Sequence, residues 1–562
     1  MRVRRPPRYV MCAILALGLV VSSGRAGAQA PGETLGSPHR GGTLRLTADS
    51  SGGTLDPQIN YTSTYLQLFS VLYDGLLTFP KVEGMAGTRV VADLADHVPE
   101  PEDGGRTWRF TLRQGVRFSD GRPVTTDDVV ASFRRLFKVG APTAGAFYGA
   151  IVGADACLAH PASCTLEGGI EADPDSRQVI FHLSRPDGEF LQKIAFPHAV
   201  ILPADTPAHD VGNQPVPTTG PYRIVSYDPN RALTLDRNPA FRMWSAEAQP
   251  DGYVDHILYS FGLDDEAETT AVENGHYDWM YEDKPQDRLG ELGARYASQL
   301  HIQPLFAFWY LPMNTRRAPF DNVLARRAVN YAIDRRALTM LYGGPALATP
   351  LCSMVPPVFP GGDIACPYTR DPTPDGRWHG PDLERARALV RQSGTAGQHV
   401  TLIVANRSID IGMGTYVRNT LESIGYHVDM KPLNIAIQFP YIQNTNNHVQ
   451  IALTDWFADY ASPSNFLDDL LGCENFHPGS DSSINMAGYC NQTAQDLMIR
   501  ALATTDTVAQ ADLWRQAARI VMDDAPTAPI MSMRYLDFVS ARVGNYVYTM
   551  LYHLCFSRVW VQ

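Results

Sequence analysis

Long apolar runs are scarce in this sequence of 562 residues. The clearest one, residues 10–21, is much shorter than the ~20 residues that a membrane-spanning helix needs. It follows an arginine-rich start and leads into Ala26-Gly27-Ala28 and Ala28-Gln29-Ala30, which both fit a cleavage site. This pattern predicts a signal peptide over residues 1–30, cleaved after Ala28 or Ala30, in preference to a membrane anchor. We therefore expect a soluble, periplasmic mature protein.

Motifs of catalysis and metal binding are also missing. The sequence contains no His-Glu-x-x-His, no Gly-x-Ser-x-Gly and no Gly-x-x-x-x-Gly-Lys. Gly412-Met413-Gly414 comes closest to a phosphate loop, but it lacks a third glycine and is typical of an ordinary helix start. The fifteen histidines are scattered, with no pair spaced to share a helix face as metal ligands. We predict that the protein is not an enzyme and uses no cofactor or metal.

Basic residues are fewer than acidic ones, with 47 Lys and Arg against 59 Asp and Glu. The formal net charge is -12, and the five arginines of residues 1–30 are not matched by any acid there, so cleavage would change it to -17 (-12 minus 5). A surface this acidic repels nucleic acid and anionic lipid. The composition therefore argues against a nucleic-acid partner and favours a freely diffusing monomer.

Cysteine is rare, with eight in the chain, and Cys12 lies in the predicted signal peptide. In an oxidising compartment, neighbouring cysteines in loop-like sequence commonly form disulfide bonds. The candidate pairs are Cys157 with Cys164, Cys352 with Cys366, and Cys473 with Cys490. None of them has the Cys-x-x-Cys spacing of a redox motif or a zinc ribbon. Cys555 is left over, and we expect it to be buried and unpaired.

The order of predicted elements changes at about residue 305. Before it, hairpins such as the one around Asp173-Pro174-Asp175 mix with helices, such as one predicted over residues 63–73. This mixture indicates a lobe built on a mixed sheet. After it, helices and strands alternate, which favours a doubly wound α/β lobe with parallel strands. Within this region we predict one long helix over 322–341, a buried strand over 449–453 and strands near residues 529 and 538. The last residues are expected to return to the first lobe.

The segment after the predicted strand 449–453 is the best candidate for a binding site. It reads Asp455-Trp456-Phe457-Ala458-Asp459-Tyr460, and Pro463 and a helix follow. Ligands of open α/β sheets bind beyond the carboxyl ends of the strands, where this loop would lie. A carboxylate between two aromatic rings suits an ammonium group, through a charge-assisted hydrogen bond and a cation–π contact. The alternative is that Asp459 only shapes the turn before the helix.

Several longer segments carry a resemblance that covers nearly all of the mature chain. They are Gly41-Gly42-Thr43-Leu44, Leu55-Asp56-Pro57, GVRFSDGRPVTTDD within residues 110–128, Thr219-Gly220-Pro221-Tyr222, AVNYAIDR at residues 328–335, and Trp456 to Tyr460 followed by Pro463. In this order they resemble family 5 of the bacterial extracellular solute-binding proteins, which includes the oligopeptide- and dipeptide-binding proteins of ABC importers. The cysteine pattern departs from that of the oligopeptide binders.

The resemblance implies the fold class α/β, as a periplasmic-binding-protein-like two-lobed clamp with an extra mixed α+β domain inserted in the first lobe. On this basis we assign residues 41–72, 204–304 and 534–562 to a discontinuous first lobe. Residues 73–203 form the inserted domain and residues 305–533 the second lobe.

The resemblance also implies a function: capture of a short peptide or peptide-like solute by hinge closure, and delivery to an inner-membrane ABC permease with its ATPase subunits. Asp459 occupies the position that binds the ligand α-ammonium in peptide binders of the family, flanked by Trp456 and Tyr460. Tyr61, Thr62 and Ser63 are weaker pocket candidates, and Ser63 also suits a helix cap.

Other interpretations stay open at this point. The same architecture is used for other solutes, such as a nickel chelate, an oligosaccharide or an opine-like compound. An exported hydrolase, or a chaperone-like or sensory receptor without transport, would belong to a different class. Trp309 and Tyr310 could line the cleft, but we expect them in the core.

Overall fold

The computed structural model describes residues 39–562 except 283, 286, 287, 482 and 505. The predicted signal peptide, residues 1–30, lies outside the described residues. Within the described part of the chain, no helix is both long and apolar enough to cross a membrane.

The strand Thr43–Ala48 belongs to a five-stranded sheet. The strands lie in the order Trp279–Met280, Thr43–Ala48, His256–Phe261, Ala232–Arg237 and Tyr222–Asp228. Thr43–Ala48 is parallel to both neighbours, and the other pairings are antiparallel. Because side chains alternate along a strand, Leu44 and Leu46 share one face, and both are fully buried. The same core holds Phe556, near the end of the chain.

A three-stranded antiparallel sheet forms a second core with four helices. Its strands lie in the order Thr107–Thr111, Gln178–His182 and Ile170–Asp173, and the helices are Thr126–Lys138, Ala144–Tyr148, Ala154–Ala159 and Phe190–Ala195. The first helix begins with a capping box, because Thr125 accepts from the Asp128 backbone and Asp128 accepts from the Thr125 backbone. The predicted hairpin around residue 174 is confirmed.

Two sheets share the second half of the chain. A parallel sheet has the strand order His427–Leu433, His399–Ala405 and Ile451–Ala452, and an antiparallel sheet has the order Ala348–Pro350, Thr527–Phe538, Leu300–Pro312 and Thr454–Phe457. The prediction of parallel strands is therefore right for the first sheet and wrong for the second. The two strands expected near residues 529 and 538 form one continuous strand, because Thr527–Phe538 pairs along almost its whole length with Leu300–Pro312.

Two predicted elements end earlier than their apolar patterns suggest. The helix predicted over 322–341 is two helices, Val323–Ala332 and Arg335–Tyr342. Ile333 is extended, and the Asp334 carboxylate accepts 3.0 Å hydrogen bonds from two backbone N–H groups of the next turn, so that aspartate starts a new helix. The helix that begins at Ser63 ends at Phe69, four residues short of the prediction over 63–73.

The remaining regular elements complete the clusters around these sheets. The other helices are Asp265–Glu273, Leu289–Arg295, Leu383–Gln392, Ser408–Ser423, Ile435–Gln443, Ser464–Leu471, Gln492–Leu502 and Thr507–Asp524. Short two-stranded pairings join Leu77–Thr78 to Val91–Ala92, Val543–Gly544 to Trp560–Val561, and Tyr548–Thr549 to His553–Leu554.

Three disulfide bonds are present, and they follow the predicted pairs. They join Cys157 to Cys164, Cys352 to Cys366, and Cys473 to Cys490. Cys555 is buried and is the cysteine of the described chain that forms no disulfide bond. Each bond closes a short loop, so each restricts the unfolded chain only locally.

Candidate functional site

The segment around Asp459 connects an antiparallel strand to a helix. The chain leaves the parallel sheet after Ala452 and immediately forms the strand Thr454–Phe457, in which Trp456 lies opposite Phe308. A buried strand is therefore present within the predicted range 449–453, but the loop predicted after it is wrong, because the backbone changes partner near Leu453 and continues as a second strand. Asp459 lies in the short connection between Thr454–Phe457 and the helix Ser464–Leu471.

Asp459 is buried, with 7% of its surface exposed, and is held by two neutral donors. The Tyr61 hydroxyl donates to Asp459 Oδ2 at 2.6 Å, and Asn465 Nδ2 donates to the same oxygen at 2.9 Å. The Asp459 backbone N–H donates to Asn465 Oδ1 at 3.0 Å. The carboxyl group is thus fixed by one residue from the beginning of the chain and one from its own helix.

Burial dominates the electrostatics of this carboxyl group. It raises the pKa of Asp459 to about 7, and the hydrogen bonds from Tyr61 and Asn465 counteract it only in part. Among the described residues, no cationic side chain forms an ion pair with Asp459. A buried carboxylate without a cationic partner is unfavourable. A positively charged ligand group next to Asp459 would therefore stabilise its ionised form.

Trp456 shares its anchor with Asp459. Its Nε1–H donates to Asn465 Oδ1 at 3.1 Å, and its ring meets the Tyr61 ring edge-on at a centroid distance of 6.0 Å. Phe439 lies nearly parallel to it at 6.2 Å. Trp456 therefore lies next to both residues that hold the Asp459 carboxyl group.

Tyr460 takes a different direction. Its side chain is fully buried, and its hydroxyl bonds to Ser464 Oγ at 2.9 Å and to Asp469 Oδ2 at 3.0 Å. Its ring packs against Phe147 at 5.5 Å. Asp469 Oδ2 also accepts from Asn465 Nδ2, which donates to Asp459, so the Tyr460 hydroxyl is connected to the Asp459 carboxyl group only through these two residues.

The three candidates near residue 62 have separate roles in the structure. Tyr61 is half-buried and contacts Asp459 directly. Thr62 donates to Asn60 Oδ1 through both its N–H and its hydroxyl, at 3.1 and 2.8 Å. The Ser63 hydroxyl is hydrogen-bonded to the Tyr281 hydroxyl. Ser63 is the first residue of its helix rather than the cap, which is Thr62 and makes no side-chain capping bond.

The ring of Tyr61 packs against a buried histidine, His198. The His198 ring lies 5.1 Å from the Tyr61 ring, and its nitrogens bond to Thr143 Oγ1 at 2.8 Å and to the Asn60 carbonyl at 3.0 Å. Burial lowers the pKa of His198 to about 4, so the ring is neutral at physiological pH. Since a carbonyl only accepts, Nε2 carries the proton and Nδ1 accepts from Thr143.

Three polar residues of this region did not emerge from the sequence. The sequence placed Asn465 at the start of a helix but gave no indication that it contacts Asp459. Arg407 forms a 2.7 Å ion pair with Asp410 and lies 3.7 Å from Asp455, so its charge is already balanced by carboxylates. Glu189 accepts hydrogen bonds from the hydroxyls of Ser462 and Ser464, on either side of Pro463. The contacts of Glu189, and the approach of Arg407 to Asp455, join distant parts of the chain, which local sequence patterns do not reveal.

Trp309 and Tyr310, by contrast, are buried in the core as predicted. They lie in the strand Leu300–Pro312, where Trp309 pairs with Asp455 and Tyr310 with Thr454. No group of three or more His, Cys, Asp or Glu that could hold a metal ion occurs in the described ranges.

Comparisons with known proteins identify the family of this chain. The family model "Bacterial extracellular solute-binding proteins, family 5 Middle" matches residues 89–478. Di/tripeptide-binding protein 2 of Pseudomonas aeruginosa is 25% identical over 544 residues, covering 92% of this chain and 94% of the relative. Periplasmic oligopeptide-binding protein OppA of Salmonella typhimurium is 24% identical over 494 residues, with 83% and 86% covered.

Relatives with other names, and solved structures, match over similar lengths. The probable deoxycholate-binding periplasmic protein YgiS of Escherichia coli is 24% identical over 553 residues and is covered to 96%, as is this chain. The solved structure of clavulanic acid biosynthesis oligopeptide binding protein 2 superposes with a TM-score of 0.79 at 26% identity, with 93% of this chain and 96% of that chain covered. The chain belongs to family 5 of the bacterial extracellular solute-binding proteins and has the α/β fold of a two-lobed clamp with an extra domain inserted in the first lobe.

Proposed function

We propose that this protein captures a short peptide or peptide-like solute between its lobes and delivers it to an ABC importer. The observation that carries the proposal is the buried Asp459 carboxyl group, which has two neutral donors and no cationic partner in the described part of the chain. The names of the peptide-binding relatives support the same solute class.

The chemistry of recognition follows from the charge. The α-ammonium of a peptide would supply the missing positive partner through a charge-assisted hydrogen bond, and the Trp456 ring would add a cation–π contact. An ammonium next to Asp459 favours the ionised carboxylate, so it lowers the pKa of that group. Binding near pH 7 should therefore release protons from the protein.

The proposed domain division places the two sides of this site in different lobes. We assign residues 41–72, 204–304 and 534–562 to the first lobe, 73–203 to the inserted domain and 305–533 to the second lobe. On this division Tyr61 and Asp459 come from opposite lobes, and closing of the clamp completes the site. A ligand that contacts both lobes shifts the equilibrium toward the closed form by its differential affinity.

The partners and location follow from the same proposal. Members of this family are substrate-binding proteins rather than enzymes, and we propose that this one also catalyses no reaction. It would act as a periplasmic monomer after removal of residues 1–30 and present its closed form to an inner-membrane permease with ATPase subunits. No cofactor enters this cycle.

A thermal-shift screen tests the solute class. A ligand that binds only the folded protein raises apparent stability by RT ln(1 + [L]/Kd), so binders appear as a rise in Tm. The panel should contain di-, tri- and tetrapeptides, N-acetylated versions of each, a nickel chelate, oligosaccharides, an opine-like acid and deoxycholate. We expect peptides with a free amino terminus to raise Tm and the acetylated ones to fail. A rise with deoxycholate or a sugar, and none with peptides, would reject the proposal.

A further inference from the structure

Asn465 lies at the centre of the hydrogen bonds that hold the Asp459 segment. It is completely buried. Its Nδ2 group donates to Asp459 Oδ2 at 2.9 Å and to Asp469 Oδ2 at 2.8 Å. Its Oδ1 accepts from Trp456 Nε1 at 3.1 Å and from the Asp459 backbone N–H at 3.0 Å. Every hydrogen-bonding position of this amide is used.

These partners also fix how the amide is turned. An indole N–H and a backbone N–H only donate, so the oxygen of the Asn465 amide must face Trp456 Nε1 and the Asp459 backbone N–H. The opposite orientation of the amide would place its oxygen against two carboxyl groups and its NH₂ against two N–H donors. The network therefore has one satisfied arrangement, which holds Asp459 and Trp456 in a defined relation.

We propose that Asn465 is a positioning residue, which orients Asp459 and Trp456 for the ligand and keeps Asp459 available as an anion. This inference rests on the proposed function, because it gives Asp459 the role of ligand acceptor. Asn465 does not itself touch the ligand in this scheme. It acts through the two side chains that do.

The alternative is that Asn465 serves only to stabilise the fold at the start of helix Ser464–Leu471. The two roles differ in one property, the ionisation of Asp459. A donor to a carboxylate stabilises the charged form, so its removal raises the carboxyl pKa. A role confined to folding leaves that ionisation unchanged.

Several other titratable groups lie close enough to Asp459 to influence its ionisation. Tyr61 and Tyr148 face Asp459, and Asp469 faces it across Asn465. The charged groups that act on Asp469 are Asp459, Asp468 and Lys193. None of these is altered in the variants below, so a change in the Asp459 titration reports on the amide of residue 465.

The chain offers a matched control in Asn485. It is also a fully buried asparagine, and its Nδ2 donates to the backbone carbonyls of Gly472 and Tyr489 at 2.9 and 2.7 Å. Its side chain makes none of the contacts with Asp459 or Trp456 described above. Asn485→Ala should therefore weaken folding much as Asn465→Ala does, while leaving the site electrostatics intact.

The test is an NMR titration of ligand-free protein labelled with ¹³C at the aspartate carboxyl carbons. Asp459→Asn identifies the Asp459 resonance. A hydrogen bond to a charged group corresponds to about one pKa unit or more, so we expect Asn465→Ala to raise the Asp459 midpoint by about one unit. Asn485→Ala should leave it in place. Asn465→Ser, which keeps a small polar group, provides a second variant and should raise the midpoint in the same direction.

An Asp459 midpoint that stays at the wild-type value in Asn465→Ala and Asn465→Ser would overturn the inference. The titration needs no ligand, so its outcome is separate from that of the peptide screen. With a peptide that binds wild-type protein, Asn465→Ala should bind about tenfold more weakly at pH 6, since each pKa unit is a factor of ten in the ionised fraction. Equal Kd values at pH 6 would also contradict the positioning role.

Discussion

The Tyr61 hydroxyl donates a 2.6 Å hydrogen bond to Asp459, 398 residues later in the chain. On the proposed domain division this bond joins the first lobe to the second. We propose that the same Asp459 carboxyl group binds the ligand ammonium. This group therefore takes part both in closing the lobes and in recognising the ligand. In the absence of ligand, Tyr61 gives Asp459 a neutral donor in place of a cationic one.

Tyr61→Phe should weaken the closed form of the ligand-free protein. The variant removes the hydroxyl that reaches Asp459 and keeps the ring that packs beside Trp456. We expect small-angle scattering to show a larger radius of gyration than for wild type. Tyr65→Phe is a suitable control, because Tyr65 bonds to Tyr227 and lies in the same early segment. Identical scattering from Tyr61→Phe and wild type would contradict a closing role for this bond.

The stability of the ligand-free protein should depend on the ionisation of Asp459. Its pKa is raised to about 7, above the ~3.9 of an unfolded aspartate. A group whose pKa is raised on folding stabilises the fold fully below the unfolded value, and this contribution is lost as the pH rises through about 7. Asp459→Asn should therefore increase the unfolding free energy at pH 8 by on the order of 2–4 kcal/mol relative to wild type.

The difference between this variant and wild type should become smaller toward pH 5. Chemical denaturation at pH 5 and pH 8 measures it, with the exposed Asp512→Asn as a control. If Asp459→Asn increased the unfolding free energy equally at pH 5 and pH 8, the buried charge of Asp459 would not be the cause of the stabilisation.

Glu189 provides a second contact between distant segments. It accepts from the hydroxyls of Ser462 and Ser464, and burial raises its pKa to about 7. Glu189→Ala removes both contacts, so the closed form should become less favourable and ligand affinity should fall accordingly. Calorimetry with a bound peptide measures the change, and the exposed Glu167→Ala serves as the control. An unchanged affinity would assign Glu189 to packing alone.

Local signals predict much of this structure. The capping box at Thr125, the hairpin around residue 174 and the three disulfide pairs follow from residues that lie close together in the sequence. The segment Asp455 to Tyr460 was chosen as the candidate site from its own composition, a carboxylate near Trp456 and before a helix, and its binding role stays a prediction. Each of these features depends on neighbours that a short window contains.

Features that depend on distant partners escaped the same reasoning. The chain changes sheets near Leu453 because residues 454–457 pair with Leu300–Pro312, a partner about 150 positions away. The ring of Tyr460 packs against Phe147, which lies more than 300 positions earlier in the chain, and a local pattern does not reveal this contact. The role of Asn465 depends on four hydrogen bonds to three residues, Trp456, Asp459 and Asp469, and it becomes visible only when the fold of this segment is known.

The most direct test of the account is isothermal titration calorimetry of one peptide in two forms, with a free and with an N-acetylated amino terminus, against wild type and Asp459→Asn. Loss of one member of a buried charge pair typically costs about 2–5 kcal/mol, which corresponds to a weakening of roughly thirty- to several thousand-fold. We predict that wild type prefers the free amino terminus by such a factor and that Asp459→Asn loses most of this preference. Equal affinity of wild type and Asp459→Asn for the free peptide would contradict the account.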